Sequence, residues 1–390
     1  MDRRSGKVMK HVLFWLFGML VPAFAGTAQA AACTMPTQAA RVAVPGHPFS
    51  ALSSADGCWA FVSLTIDRQH GAVAVLRNQG GTFQLDHTVP MPAPAYGESL
   101  SHDGRLLAVA ERKGADVFDV AQLENAQGHP LLGELSDGMG SQAVYALVSN
   151  DGRLLFVSQE LAHAISVFDL AKAAGSGFRG DALAGRIPLA PAPVGLAQSP
   201  DGQWLYATSE IAPRTAGLDA TCTPETKDER MHPPGLLFRI DVAKVASAPR
   251  KAVQSVVAAG CNPVRVAVAP AGDTIWVTAR GSGALLEFRA GDLLSASGRS
   301  AYASFAIGTS PVGVAVRPDG RQVWAALSSR FGAAAAGQVA GLTLVDGVPK
   351  QMLTAAASGF PREVSFLPDG RTLMATLYDD AKVELIPTPP

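Results

Sequence analysis

Short apolar runs broken by glycine turns recur along the whole chain after its first forty residues. Seven times a β-prone run reaches such a turn and a second β-prone run follows. The turns are Asp56-Gly57, Asp103-Gly104, Asp151-Gly152, Asp201-Gly202, Ala271-Gly272, Asp319-Gly320 and Asp369-Gly370, and subtracting their positions gives spacings of 47, 48, 50, 70, 48 and 50 residues. The stretch from Pro311 to Ala326 shows the grammar: a run, Pro318-Asp319-Gly320, and a second run. Proline presets φ before the turn, aspartate can bond its own backbone two residues on, and glycine supplies the positive φ a tight hairpin needs. A third run follows, ending in an acidic residue at Asp119, Asp169 and Asp241, and a fourth, weaker run leads into the next repeat. Four short strands per period, seven times over, predict an all-β fold: a seven-bladed β-propeller of four-stranded antiparallel blades.

The two ends of the chain complete this picture. After the last hairpin there is a third strand, Ala381 to Ile386, and then a Pro-rich end with no fourth. Residues 41–48 resemble the fourth-strand-plus-proline segments found before other repeats, so Val42 to Val44 is expected to complete the last blade beside the C-terminal strands. That pairing hides two sheet edges.

Composition and charge then narrow the partners. Glycine at 39 and proline at 27 of 390 residues fit a turn-rich globular chain, and a net charge of -1 lacks the basic excess that phosphate neutralisation requires. Nucleic acid and anionic membrane are therefore not the default partners. Arg3, Arg4, Lys7 and Lys10 precede an apolar stretch from Val12 to Ala25 and the small-residue site Ala28-Gln29-Ala30, which reads as a signal peptide over 1–30. Twin-arginine export and lipidation at Cys33 remain as alternatives. No later stretch suits a membrane-spanning helix, so residues 31–390 are expected to be one propeller domain, monomeric and periplasmic or secreted, with an insertion over 210–234 behind the 70-residue spacing.

The run from Pro193 to Thr208, Pro-Val-Gly-Leu-Ala-Gln-Ser-Pro-Asp-Gly-Gln-Trp-Leu-Tyr-Ala-Thr, resembles the YVTN-repeat propellers, which shade into the lactonase-like seven-bladed propellers. The likeness covers essentially the whole mature chain. It rests on turn and packing residues, and the Asn that often closes the second strand is replaced by Leu64, Glu111, Gln159, Ser209, Ala279, Leu327 and Leu377. The resemblance implies a lactone or ester hydrolase as one activity, Gly46-His47-Pro48 being similar to the opening segment of such enzymes, and single-stranded DNA binding as another.

Four cysteines in an exported chain suit disulfides. In a four-stranded blade, the loop between strands two and three shares a face with the loop into the next blade, which brings Cys222 near Cys261. Cys58 follows a turn on the opposite face, where the N-terminal strand and Cys33 begin. Cys33 with Cys58 and Cys222 with Cys261 is the expected pairing; free buried thiols are the alternative. The 210–234 loop carries Asp219, Glu225, Lys227, Asp228, Glu229, Arg230 and His232, and reads equally as a contact surface or as a tolerated excursion.

No catalytic constellation is recognisable. Metal-ligand spacing, haem attachment and a nucleophile elbow are absent, and Gly138-Met139-Gly140-Ser141-Gln142-Ala143 runs into a strand where a dinucleotide fingerprint needs a helix. No metal and no cofactor is expected. What remains is a ring: the residue six before each turn, namely Ser50, Gly97, Tyr145, Gly195, Arg265, Gly313 and Glu363, is read as lying beside the channel mouth. With Tyr96, Glu98 and Arg362, and the loop residues Glu111, Glu160, Glu210, Arg280, Arg330 and Tyr378, these residues make either a mixed-charge funnel or inter-blade salt bridges. The leading reading is a non-enzymatic binding scaffold for a protein, peptide or small ligand, with Tyr96, Glu98, Tyr145, Arg265, Arg362 and Glu363 as candidate contacts. A lactonase-like hydrolase stands second and single-stranded DNA binding third.

Overall fold

Each glycine turn closes in the same way. At the first, the Ser54 hydroxyl donates to Asp56 Oδ1 at 2.5 Å, and the same oxygen accepts the Cys58 backbone N–H at 3.0 Å. Gly57 takes φ 67° and its N–H reaches Ser54 O at 3.0 Å. The pattern recurs with Ser101 and Asp103, Ser149 and Asp151, and Ser199 and Asp201. The Ala271 turn lacks both side chains yet keeps the backbone bond from Gly272 to Ala269, so the geometry belongs to the glycine and the side chains reinforce it. The acid ending the third run also acts locally. Asp119, Asp169 and Asp241 accept the N–H groups of Gln122, Lys172 and Ala243, capping the single turns that lead away from the sheet.

The computed structural model describes Met1 and residues 32–178, 182–216, 222, 233–294, 303–328 and 337–390. The expected signal segment beyond Met1 lies outside the described residues, as do Arg330 and the charged residues Asp219 to His232 of the insertion. Residues Ala32–Pro390 form one compact unit by their internal contacts.

The architecture is all-β, built of four-stranded antiparallel sheets of the kind a β-propeller uses. Their first strands are His47–Ser53, Ala95–Leu100, Ala143–Val148, Pro193–Gln198, Pro263–Val268, Pro311–Val316 and Pro361–Phe366. The second and third sheets are joined by one parallel bridge between Tyr145 and Gly97, so that their first strands lie side by side. The strand Ala40–Ala43 pairs antiparallel with Lys382–Pro387, Val42 opposite Val383. The N-terminal strand thus begins two residues earlier than the sequence indicates and completes the seventh sheet.

Hydroxyl groups tie neighbouring sheets together. Thr208 Oγ1 accepts the Gly195 N–H of its own sheet and donates to Val264 O of the next, at 3.0 and 2.8 Å. Thr278 does the same between Arg265 and Val312 O, and Thr376 between Glu363 and Phe49 O. The last contact runs from the seventh sheet to the first. Between sheets the core is apolar: Phe61, Val73 and Val75 of the first pack on Leu107, Val109 and Phe118 of the second, all of them fully buried. Each such side chain contributes on the order of 1.5–3 kcal/mol of burial.

Cys33 is bonded to Cys58 and Cys222 to Cys261. The first bridge holds the segment before the N-terminal strand against the first turn, where the Cys33 N–H also reaches Asp56 O at 2.9 Å. Replacing Cys33 and Cys58 by serine is expected to lower stability by about 3 kcal/mol, the value for closing a loop of this order. Urea unfolding measures it; an unchanged midpoint would show the bridge to be mechanically idle.

Candidate functional site

Every first strand carries a bulge just after its opening residue. The pairing register with the second strand shifts between Pro48 and Ser50, Ala143 and Tyr145, and Pro193 and Gly195, and within the corresponding stretch of the other four sheets. A bulge re-aims the residue it inserts. Here that residue is Phe49, Tyr96, Val144, Val194, Val264, Val312 or Arg362, seven before each turn, and all seven line one cavity of about 720 Å³.

The cavity has two unlike halves. Val194, Val264 and Val312 pack together as a buried collar with Val144 against them. Opposite, the Arg362 guanidinium lies 3.8 Å from the centre of the Phe49 ring, 5.4 Å from Tyr378 and 5.6 Å from Phe360. Tyr96 meets Phe49 edge to face at 5.4 Å. Such faces attract a guanidinium through the ring quadrupole. The residues just after the second strands form a rim: Glu160, Glu210, Arg280, Ser328 and Tyr378. Arg280 Nη2 bonds Glu210 Oε2 at 3.1 Å, whereas the Glu160 side chain makes no hydrogen bond or ion pair with any described residue. Burial holds the Glu160 carboxyl above the usual range, with Glu210 adding to the rise and Arg280, Arg362 and Arg265 opposing it.

The six candidate contacts separate. Tyr96, Arg265 and Arg362 line the cavity. Tyr145 and Glu363 do not; each reaches it through Arg265. Arg265 Nε bonds Glu363 Oε1 at 2.5 Å, and its guanidinium stands 5.2 Å from the centre of the Tyr145 ring. This pair spans from the fifth sheet to the seventh, past Gly313, where a Cβ would come within 2.9 Å of the Glu363 carboxylate. Gly97 is required for the same reason: a Cβ there would run into the Tyr145 ring. Small residues therefore alternate with Tyr145, Arg265 and Glu363 because only every second position can hold a large side chain. Burial raises the Glu363 carboxyl and outweighs Arg265 and Arg362, which lower it. Tyr145 keeps part of its surface open but lies deep in protein, and burial followed by the Glu363 charge raises its hydroxyl.

Glu98 is elsewhere. It is fully buried at a position where the other sheets carry Ala51, Ala146, Leu196, Val266, Val314 and Val364, and neither carboxylate oxygen has a hydrogen bond among the described residues. The Ser63 amide lies close without forming a well-shaped bond, and burial dominates, holding the acid well above the usual carboxylate range. Among the loop candidates, Glu111 is buried away from the cavity and accepts the Lys113 N–H at 2.8 Å. His47 stacks on Tyr378 at 4.9 Å, its Nδ1 lying 2.8 Å from Tyr378 O, outside the cavity lining. Sequence reasoning missed Phe49, Val144, Val194, Val264, Val312 and Phe360. Counting back from the turn assumes unbroken alternation, which the bulge removes.

No family model matches this sequence, and no curated protein matches it. The fold has a solved counterpart. A chain of Kuenenia stuttgartiensis hydrazine synthase, a protein that contains a β-propeller, superposes with a TM-score of 0.63 over 88% of this chain and 96% of that one, at 18% identity. A likeness at that identity concerns the fold alone. Among the described residues no group of three or more His, Cys, Asp or Glu is arranged to hold a metal ion.

Proposed function

We propose that the seven sheets close into one ring and that this chain is an exported binding scaffold which takes a small ligand in the cavity at one mouth of that ring. The observation carrying the proposal is the lining itself. Seven equivalent residues, one from each first strand, face one space, as they would around a common axis; the Thr376 bond to Phe49 supports closure from last sheet to first. A volume of about 720 Å³ falls in the range of small-molecule sites, and an apolar wall with a few convergent polar groups is their usual make-up. Export is supported by the basic-then-apolar first thirty residues and by two disulfides. None of the described helices is long and apolar enough to cross a membrane.

The test is a thermal-shift screen of small molecules on the mature protein. A compound that raises the midpoint should lose its effect in Val264→Trp, which fills the cavity, and bind at least tenfold more weakly to Tyr96→Ala, which removes an aromatic wall without filling it. A shift that survives both variants would place the ligand elsewhere and end the reading.

Lactone or ester hydrolysis stands second, favoured by the raised carboxyl of Glu160 beside Arg280, a pairing suited to proton transfer and charge stabilisation. Turnover that vanishes in Glu160→Gln would put it first. Single-stranded DNA finds little support at a mouth carrying Glu160 and Glu210 among its arginines.

A further inference from the structure

We infer that the ligand of the mouth cavity is a hydrophobic amine, its ammonium group held by Glu160 and its apolar body seated on the valine collar. This rests on the reading of the cavity as a small-ligand site and says which chemistry the site selects.

The charged groups of the cavity are unequally engaged. Glu210 is bonded to Arg280 at 3.1 Å, and Arg265 is bonded at 2.5 Å to Glu363 beneath it. Arg362 is spread over three aromatic faces. Glu160 is different: it lines the cavity, is half-buried, and has no hydrogen bond or ion pair with any described residue. A carboxylate so placed has surrendered part of its hydration with no hydrogen bond in return from any described residue, and burial holds its proton more tightly than usual although Arg280, Arg362 and Arg265 oppose the rise. An ammonium ion supplies the missing hydrogen bonds. Its N–H groups make charge-assisted hydrogen bonds, the stronger kind, and a partly desolvated setting weakens them less than bulk water does. An alcohol of the same shape offers a neutral donor only, and an isosteric acid would bring a third negative charge beside Glu160 and Glu210.

The apolar half sets the rest of the molecule. Val144, Val194, Val264 and Val312 carry no polar atom on their side chains and form one continuous patch on the third to sixth sheets, and Glu160 belongs to the third. A ligand bonded to Glu160 therefore has an aliphatic surface within reach on the same side of the cavity. Small polar amines would leave that patch wet.

Three isosteric probes separate the possibilities on the full mature chain: phenethylamine, 2-phenylethanol and 3-phenylpropionate, titrated by calorimetry at pH 7.5. Phenethylamine is expected to bind at least tenfold more tightly than the other two. Glu160→Gln should remove that preference by weakening the amine tenfold or more, and leave the alcohol within twofold. Amine affinity should also fall as the pH is lowered through the raised Glu160 titration, since the protonated acid loses its charge. Because Glu160 makes no hydrogen bond or ion pair with any described residue, and burial disfavours its charge, the variant should not lower the unfolding midpoint, which a melting curve verifies. Preferential binding of 3-phenylpropionate, or an amine preference that persists in Glu160→Gln, would overturn the inference while leaving the cavity a ligand site. Absence of binding by all three probes would also overturn it, and in that case the Val264→Trp and Tyr96→Ala screen decides independently whether the site itself survives.

Discussion

Arg265→Met should lower the stability of this protein by about 3–5 kcal/mol, the usual penalty when one member of a buried ion pair is deleted and the other stays. The partner left behind is Glu363, 8% exposed, whose carboxylate then has Arg362 as its remaining opposing charge. Arg265 Nη1 also donates to Val194 O at 3.2 Å, so the substitution strips a carbonyl of the fourth sheet as well. The double variant Arg265→Met with Glu363→Met should recover most of the loss, since two apolar side chains of similar volume need no hydrogen bonds. The sign of the pH dependence is a second readout. In Arg265→Met the carboxyl of Glu363 rises further above its unfolded value of 4.5, so the folded state holds more protons than the unfolded one. The deficit should therefore be largest at alkaline pH and shrink as the pH falls and Glu363 is protonated. Urea unfolding of the single and double variants between pH 5 and pH 9 measures this; a double variant no more stable than the single would show that packing, not charge, is what Arg265 supplies.

Asp116→Asn is expected to act in the opposite direction and stabilise the protein. In the seventh sheet the equivalent of Asp116 is Glu384, which faces Arg41 across the ladder and bonds it at 2.9 Å. In the third it is Ser166, which faces Arg186. In the second, Asp116 faces Glu134, like charge against like, with Glu111 nearby; the side chain is 1% exposed and its Oδ2 has no hydrogen bond among the described residues. Burial, followed by the charges of Glu111 and Glu134, pushes its pKa up to about 7 from 3.8. A group raised in the folded state binds more protons there, so stability is gained as the pH falls through about 7 and is lost above it. A shift of roughly three units corresponds to a cost on the order of 4 kcal/mol at pH 8. Asparagine removes that cost and offers N–H donors to Glu134. The variant should melt higher than wild type at pH 8 and equal it near pH 4; a melting curve that tracks wild type at both values would mean that Asp116 is already compensated.

Much of this was legible in the chain because the turns are local. Ser54, Asp56, Gly57 and Cys58 make their bonds within five residues, and the same spacing announces the same hairpin wherever it recurs. The completion of the last sheet by Ala40–Ala43 was legible for a related reason, since the C-terminal end lacks a strand and the N-terminal end has one to spare. The cysteine pairing followed from which loops share a face. The candidate site was legible only in part. Arg265, Tyr96 and Arg362 lie at the cavity; of the ring counted six before each turn Arg265 lines it, and the first-strand residues that otherwise face the space stand one position earlier. A bulge has no side-chain signature of its own, and one residue of slip exchanges the two faces of a strand. Nor could pattern alone reveal that Glu98 occupies an aliphatic position, since a carboxylate in a strand reads as a solvent-facing residue.

The amino-acid sequence by itself determined the repeated hairpin, the number of repeats and the residues that cap and turn them, because each depends on bonds made within a few residues of one another. The tertiary structure alone decided which side chain of each first strand looks into the shared cavity, that Arg265 reaches past one sheet to Glu363, and that Glu160 is left without a partner among the described residues. The last two outcomes depend on distances between residues separated by fifty or more positions, and such distances are set only when the sheets pack against one another.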